Sequence, residues 1–184
     1  MADAQSTSQS AGTEAVARAY FDAVTARDVE AMAACWEPGS LDVLHGIAEL
    51  TVPADLEAWF GGLFAAFPDF RFEVVDVVSA GESAAVRWRA TGTFDGSADF
   101  EGLTPNGRSV DVQGCDVLTV RGGKVVRNEA YTNSVELLRQ LGALPPAGSK
   151  QEQAMTALLN AKTWASAWLA NRRGSPSKPP RSRD

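Results

Sequence analysis

One aspartate falls in a row of residues that should face the interior of the protein. Residues 114–133 read GCDVLTVRGGKVVRNEAYTN, and apolar residues alternate along two arms around a Gly-Gly turn. Because side chains alternate faces along a strand, Asp116 points to the same side as Val112 and Leu118. An apolar cavity raises the pKa of a carboxylate, which suits proton abstraction next to a carbonyl group. Asp116 is therefore a candidate general base.

A buried ionised carboxylate is costly unless it is paired, and three residues could pair with Asp116. His45 follows a short predicted strand, residues 41–44, and could act as an acid or hydrogen-bond donor. Asp42 lies in that strand, and Tyr20 on the first predicted helix could direct its hydroxyl into the cavity. Each residue also has a plainer interpretation. Asp116 could be bound by backbone amides or a tyrosine, and His45 could lie on the surface or cap a loop. Asp42 could be a surface acid, and Tyr20 could be a core aromatic.

The remaining candidates would form the wall of a cavity for a flat or hydrophobic ligand. Asn128 and Thr132 share the strand parity of Ala130 and could line the pocket with it. The aromatic candidates, each of which could also be ordinary core, are Trp36, Trp59, Phe64, Phe72, Trp88 and Phe94.

Hydrophobic periodicity predicts the elements that would position these residues. Three helices come first, then the period changes to two and four strands follow, and a last short helix ends at Gly142. The predicted helices are 14–26, about 28–35, 53–67 and 135–141, with Thr13 and Ser134 as predicted N-caps of the first and the last. The predicted strands of this second half are 70–78, 84–93, 109–120 and 124–132.

This order predicts an α+β domain: a conical barrel of a curved antiparallel sheet wrapped around the N-terminal helices, plus an extra C-terminal helix. We expect a disordered lead-in at 1–12, the domain at 13–143 and a Pro/Gly linker at 144–150. An Ala-rich helix at 151–172 and a disordered basic tail at 173–184 would follow. That helix carries Trp164 and Trp168 one turn apart, which favours packing on the domain, a second subunit or a partner.

Composition excludes several classes of protein. The 184 residues are 45% apolar with net charge −6, and no apolar run approaches the length of a membrane span. The N-terminus has no basic and apolar stretch typical of a secretory signal, so we expect a cytoplasmic protein that contacts neither membrane nor nucleic acid. Two cysteines and one histidine fit neither a disulfide scaffold nor a zinc site, and we expect no metal and no cofactor.

Several segments together resemble the SnoaL-like polyketide cyclases, a family with the nuclear-transport-factor-2-like fold. The hairpin GCDVLTVRGGKVVRNEAYTNSVELLRQLG resembles the C-terminal signature of that family. AFPDFRFEVVDVV, GTFDG…GLTPNGRSVDVQG and ARAYFDAVTARDVEAM resemble further segments in the same order. The resemblance covers residues 14–142. It implies the barrel fold, a homodimer and a hydrophobic small-molecule substrate.

The resemblance also shows where this sequence departs from the cyclases. It places the catalytic aspartate of the family at Ala130, one histidine at Asp116 and a further histidine at Phe94. Asp42 lies near the position where isomerases of the superfamily place their base, and Tyr20 is where such isomerases stabilise an enolate. The catalytic pair of the cyclases is therefore not carried over residue by residue.

Three hypotheses about function follow. The first is a cofactor-independent cyclase or isomerase acting on a hydrophobic carbonyl compound, with Asp116 as base, His45 as acid or orienting donor, and Tyr20 or Asn128 at the oxyanion. The second is an epoxide hydrolase or hydroxylase-like enzyme, in which Asp42 converges with Asp116. The third is a non-catalytic module that binds a small molecule or a protein, for which we expect a filled core and an Asp116 bound by backbone amides.

Overall fold

The structure is a computed structural model that describes residues 2–173. The chain divides into a first unit, Met1–Leu144, and a second unit, Pro145–Asp184. The predicted tail lies outside the described residues from position 174 onward. No helix among residues 2–173 is both long and apolar enough to cross a lipid bilayer.

Four helices and six strands form the first unit. In chain order they are α1 (Ala2–Ala26), α2 (Val29–Ala34), β1 (Trp36–Leu44), β2 (Ala48–Thr51), α3 (Ala54–Ala66), β3 (Arg71–Ala80), β4 (Ser83–Phe94), β5 (Arg108–Arg121), β6 (Lys124–Thr132) and α4 (Ser134–Gln140).

The six strands form one curved, unclosed sheet in the order β2-β1-β6-β5-β4-β3. The predicted α+β class with helices against a curved sheet is confirmed. The sheet is antiparallel, as predicted, except in one place, where β1 pairs with β6 in parallel. Parallel neighbours need a long crossover connection, and here that connection contains α3 and four further strands.

Alternation along the strands separates an inner from an outer face, as the sequence predicts. On β4, Val86 and Trp88 are buried, whereas Arg87 and Arg89 are exposed, and Arg89 forms an ion pair with Asp111 on the outer face. Helix α1 packs on β3 and contributes its buried face to the same core. The inner face of the sheet and the helices therefore enclose the region that contains the candidate site.

Two local expectations are wrong. Helix α1 begins at Ala2 rather than after a disordered lead-in, and Thr13 lies inside it, where its hydroxyl donates to Gly81 O over 2.7 Å. Few residues before position 13 are large and apolar, but adding a turn to a formed helix costs much less than nucleating one. The cap of α4 is Asn133, which accepts from Glu136 N, rather than Ser134.

The second unit consists of one helix, α5 (Lys150–Arg173), within one residue of its predicted span at each end. Ser149 Oγ accepts from Glu152 N over 3.1 Å at the start of this helix. The side chains of Leu158 and Trp164 are exposed, at 73% and 78%.

Candidate active site

An apolar cavity lies between the helices and the inner face of the sheet. It holds about 800 Å³ of empty space, counted out to its open mouth. No lysine, arginine or histidine lines it among the described residues. The predicted site residues that do line it are Tyr20, Asp42, Trp59, Phe72, Trp88, Asp116, Ala130 and Thr132.

Asp116 on β5 is buried and is held by two side chains. Trp88 Nε1 on β4 donates to Asp116 Oδ1 over 2.7 Å, and Asn128 Nδ2 on β6 donates to Asp116 Oδ2 over 2.7 Å. The Trp88 indole can lie there because β5 has Gly114 opposite it, where a Cβ would come within 2.2 Å of Trp88 Cζ2. The backbone-bound Asp116 in a filled core that we expected for a non-catalytic module is not what the structure shows.

Asp42 is the second buried carboxylate, and the parallel pairing of β1 with β6 brings it to the first. Asp42 lies opposite Asn128 in that pairing, and Asn128 Nδ2 donates to Asp42 Oδ1 over 2.9 Å. The Tyr20 hydroxyl from α1 lies 3.4 Å from Asp42 Oδ2. One amide nitrogen therefore bridges Asp42 and Asp116, and neither carboxylate is the surface acid that a strand end would suggest.

Asn128 differs from its predicted place as a residue of the pocket lining. It is 1% exposed and lies behind the two carboxylates rather than on the cavity surface. Its Oδ1 is buried without a hydrogen-bond partner among residues 2–173. This orientation of the amide uses its N–H groups on the carboxylates and leaves its acceptor unused, which favours at least one ionised carboxylate.

Burial is the main influence on how these groups titrate. Desolvation raises the pKa of Asp42 to about 6, although hydrogen bonds from Asn128 and Tyr20 lower it. Desolvation raises the pKa of Asp116 to about 7, with a further increase from the charge of Asp42 and decreases from Trp88 and Asn128. Burial and both carboxylates hold the pKa of Tyr20 well above its ordinary value, so its hydroxyl is neutral. Near neutral pH this site can both donate and accept a proton.

The predicted pairing of His45 with Asp116 is wrong. His45 lies on the outer face, where its Nε2 is 3.0 Å from Glu129 Oε2 and its ring stacks on Tyr131 with centroids 4.4 Å apart. The hydrogen bond from His45, with those from Arg127 and Tyr131, lowers the pKa of Glu129 to about 2. Asp42 faces inward, and a residue three positions later in an extended chain faces the opposite way.

Three predicted wall residues belong to the core behind the cavity. Phe94 is fully buried and stacks on Phe67, and Phe64 packs against Phe60 and Phe70. Trp36 makes an edge contact with Tyr20, and its Nε1 has no hydrogen-bond partner among the described residues. Large aromatic residues fill cores as readily as they line pockets, and strand parity alone does not separate the two roles.

The loop 95–107 supplies a wall residue that the sequence analysis missed. Phe100 lines the cavity beside Trp59, and Trp59 Nε1 donates to Glu101 Oε1 over 3.2 Å. Gly96 N donates to Ala66 O over 3.0 Å, which fixes the loop to the end of α3. An isolated aromatic residue in a polar, glycine-rich loop is the signal that could have identified Phe100.

No group of three or more His, Cys, Asp or Glu side chains within residues 2–173 is arranged to hold a metal ion. The chemistry that this arrangement offers is proton transfer between two buried carboxyl groups, a neutral tyrosine hydroxyl and a ligand in an apolar cavity.

Comparison with solved structures shows the same fold in proteins named for small-molecule chemistry. AclR, a proposed hydroxylase from Streptomyces galilaeus, is 26% identical with a TM-score of 0.66, and the match covers 91% of this chain and 99% of that chain. IdmH, a proposed polyketide cyclase from Streptomyces antibioticus, is 26% identical with a TM-score of 0.57, and the match covers 71% and 98%.

A proposed SnoaL-like polyketide cyclase from Jannaschia sp. CCS1 is 23% identical with a TM-score of 0.66, and the match covers 74% of this chain and 96% of that chain. No curated protein sequence matches the chain. The profile of the SnoaL-like domain matches residues 17–128, which is more than half of the sequence. The protein therefore belongs to the SnoaL-like domain family.

Proposed function

We propose that this protein is a cofactor-independent enzyme that isomerises or cyclises an apolar carbonyl compound by general acid–base catalysis. The observation that carries the proposal is the pair of buried carboxylates, Asp42 and Asp116, which share one amide nitrogen and face an apolar cavity. Two carboxyl groups held this close favour one ionised and one protonated member, which supplies a base and an acid together.

The cavity supports a neutral, flat and hydrophobic ligand. Aromatic rings line it, and no positive side chain among the described residues of the lining could offset the charge of an anionic ligand beside the two carboxylates. The relatives named as polyketide cyclases agree with this class of ligand.

The sheet register supports a carboxylate at the place where the cyclases need one. Asp116 lies directly opposite Ala130, the position at which the resemblance places the catalytic aspartate of the family. Both side chains face the cavity, and the small Ala130 leaves room for a carboxylate from the neighbouring strand. In this proposal the base is on β5 rather than on β6.

In the proposed reaction, the ionised carboxylate removes a proton from the carbon next to the carbonyl group. The enolate oxygen that forms accepts a hydrogen bond from the protonated carboxyl group or from Tyr20. In isomerisation, the proton then returns to a different carbon. In cyclisation, the enolate carbon attacks a second carbonyl group, and the oxygen of that group takes the proton.

Deuterium exchange into a ketone tests this step without knowledge of the natural substrate. We would incubate the full-length protein with 2-tetralone in D₂O and follow the loss of the C1 proton signals by NMR. We expect catalysed exchange, with a loss of about 10²–10⁴-fold in Asp116→Asn and in Asp42→Asn. Asp76→Asn, an exposed aspartate on β3, is the control and should match the wild type. Full exchange in Asp116→Asn would sink the proposal.

Epoxide opening is a second candidate, because Asp42 does converge with Asp116. In that reaction the ionised carboxylate would activate a water molecule, and the protonated carboxyl group would donate to the epoxide oxygen, which gives a diol. Styrene oxide in H₂¹⁸O distinguishes the candidates. One ¹⁸O in the diol, without exchange of 2-tetralone, favours the hydrolase.

A further inference from the structure

The two buried carboxylates have unequal hydrogen-bonding partners, and this inequality bears on which of them carries a proton. The inference rests on the proposed function, because it assigns the acid and base roles within the same pair. The donor and acceptor capacity of each neighbour is fixed by its chemistry and does not depend on any substrate.

Both oxygens of Asp116 accept from groups that can only donate. An indole Nε1–H and an amide N–H have no lone pair to offer. Trp88 occupies Asp116 Oδ1 and Asn128 occupies Asp116 Oδ2, each at 2.7 Å. A proton on either oxygen would weaken a short bond and would have no acceptor among these neighbours. The ionised form of Asp116 gives both of these N–H groups a charged acceptor.

Asp42 has a different environment on its second oxygen. Asp42 Oδ1 accepts from Asn128 over 2.9 Å, whereas Asp42 Oδ2 lies 3.4 Å from the Tyr20 hydroxyl. A phenolic hydroxyl can accept as well as donate. A proton on Asp42 Oδ2 therefore has an acceptor, and it costs the carboxyl group no bond from a donor-only neighbour.

The raised pKa values have the opposite order, about 7 for Asp116 and about 6 for Asp42, and burial is the largest cause of both increases. The difference is small beside the effect of placing a hydroxyl proton against an N–H donor with no acceptor. The other titratable groups that act on the pair are Tyr20, with Cys35 near it, and Cys115 next to Asp116. All three have raised pKa values and are neutral. No charged group on a neighbouring element of the described cavity wall reverses the order.

We propose that the resting protein holds one proton on Asp42 and keeps Asp116 ionised, and that Trp88 is the positioning residue that imposes this order. Asp116 is then the base in the first half of the reaction. Asp42, next to Tyr20, is the acid that faces the developing oxyanion. The two roles follow from which neighbours can only donate, not from depth of burial.

A carbon-13 NMR titration of the ligand-free, full-length protein tests the order directly. With [¹³Cγ]aspartate, the signals of the two carboxyl groups are assigned by their absence in Asp42→Asn and Asp116→Asn. We expect the signal of Asp42 to titrate at a higher pH than that of Asp116, by about one unit or more. A midpoint of Asp116 above that of Asp42 in the wild type overturns the proposal.

Two matched tryptophan variants test the cause of the order. Trp88→Phe removes one donor from Asp116, so we expect the Asp116 midpoint to rise by about one unit and the gap to close or reverse. Trp36→Phe removes a buried indole N–H that bonds neither carboxylate, so we expect both midpoints to stay within about 0.3 unit. Equal shifts in the two variants would show that packing rather than hydrogen bonding sets the order, which contradicts the proposal.

The result of this titration does not depend on the proposed function, because the titration needs no substrate and no turnover. The predicted order without exchange of 2-tetralone would overturn the enzyme proposal and support the proton assignment. Exchange with the reverse order would overturn the assignment and leave Asp42 as the base.

Discussion

At the scale of single residues, the packing of Trp88 over Gly114 controls how Asp116 is presented. A Cβ at position 114 would approach three atoms of the indole ring within 2.2–2.7 Å. The indole would have to move, and its hydrogen bond to Asp116 would lengthen or break. The glycine is thus part of the site although it has no side chain to contribute.

We expect Gly114→Ala to lower the free energy of unfolding by about 1–3 kcal/mol, because it overpacks a filled region. It should also reduce exchange of 2-tetralone and change the tryptophan fluorescence. Gly61→Ala is the control, since Gly61 is exposed in α3 and an added Cβ would meet no atom within 4 Å, and it should stabilise the protein by about 0.5–1 kcal/mol. Urea denaturation measures both, and an unchanged stability in Gly114→Ala contradicts the packing argument.

The buried carboxyl groups also predict how stability depends on pH. Their pKa values are raised above those of the unfolded chain, so between about pH 4 and pH 7 the folded protein holds more protons. The free energy of unfolding should therefore fall as the pH rises through this window, by on the order of 3 kcal/mol between pH 5 and pH 8.

Either single variant, Asp42→Asn or Asp116→Asn, should reduce this fall to about half or less, because the remaining carboxyl group loses its charged neighbour. Asp76→Asn should parallel the wild type. Denaturation at pH 5, 6, 7 and 8 gives the slopes. The groups with lowered pKa values, Asp69, Asp111 and Glu129, act below this window. A flat or rising profile in the wild type contradicts the burial argument.

The residues of the site differ in how far the sequence alone could identify them. Asp116 follows from strand parity, because its neighbours in the row are apolar. His45 could have been excluded by the same rule, since Asp42 and His45 are three positions apart and cannot both face inward. The bridging role of Asn128 could not be predicted from the sequence, because it depends on a pairing between strands that are far apart in the chain.

At the scale of elements, the loop 95–107 is attached to α3 by backbone hydrogen bonds that only glycine permits. A Cβ on Gly96 would lie 1.9 Å from Ala65 O. Gly96 N and Ser97 N donate to Ala66 O and Ala65 O, each over 3.0 Å. This attachment holds Phe100 in the cavity wall.

We expect Gly96→Ala to release the loop, because the added methyl group cannot coexist with the carbonyl oxygen. Limited proteolysis should then cleave within residues 95–107 at a rate at least about tenfold above the wild type, as the opening costs less free energy. Ser97→Ala keeps the backbone donor and should behave as the wild type. Equal cleavage rates in all three proteins would show that the attachment does not restrain the loop.

The periodicity of the sequence predicts the four strands β3–β6 and their faces, because hairpin neighbours are close in the chain. It does not predict that β1 extends from Trp36 to Leu44 or that β2 exists. These strands contain Pro38, Gly39 and charged residues, which indicate turns when considered locally. Their pairing with distant strands stabilises them, and local pattern carries no information about it.

At the scale of the whole molecule, every residue of the candidate site lies in the first unit, Met1–Leu144. We expect a chain truncated after Leu144 to keep the fold and the pH dependence, with a free energy of unfolding within about 1 kcal/mol of the full-length value. Denaturation at pH 5 and pH 8 checks this. Loss of the cooperative transition would show that the second unit is needed for the first to fold.

The homodimer implied by the resemblance stays a prediction. The outer face of the sheet exposes Leu41, Val117 and Tyr131, at 37%, 40% and 50%, where a second copy would bind. Light scattering should give about twice the chain mass of 19.5 kDa. Val117→Arg should give the mass of one chain, because the dimer interface would bury an unpaired charge. Val135→Arg, on α4, should leave the dimer intact. A wild-type protein of single-chain mass contradicts the prediction.

The parallel pairing of β1 with β6 has a consequence for how the protein acquires its activity during synthesis. Asp42 and Asn128 are 86 positions apart. Nearly the whole domain must therefore be synthesised before Asp42 can form its hydrogen bond with Asn128. We expect contacts of such long sequence separation to form late, after the hairpins β3–β6. Ligand binding would then appear only at the last step of folding, when β6 pairs with β1. A chain released from the ribosome before β6 would contain a sheet but no proton-transfer centre.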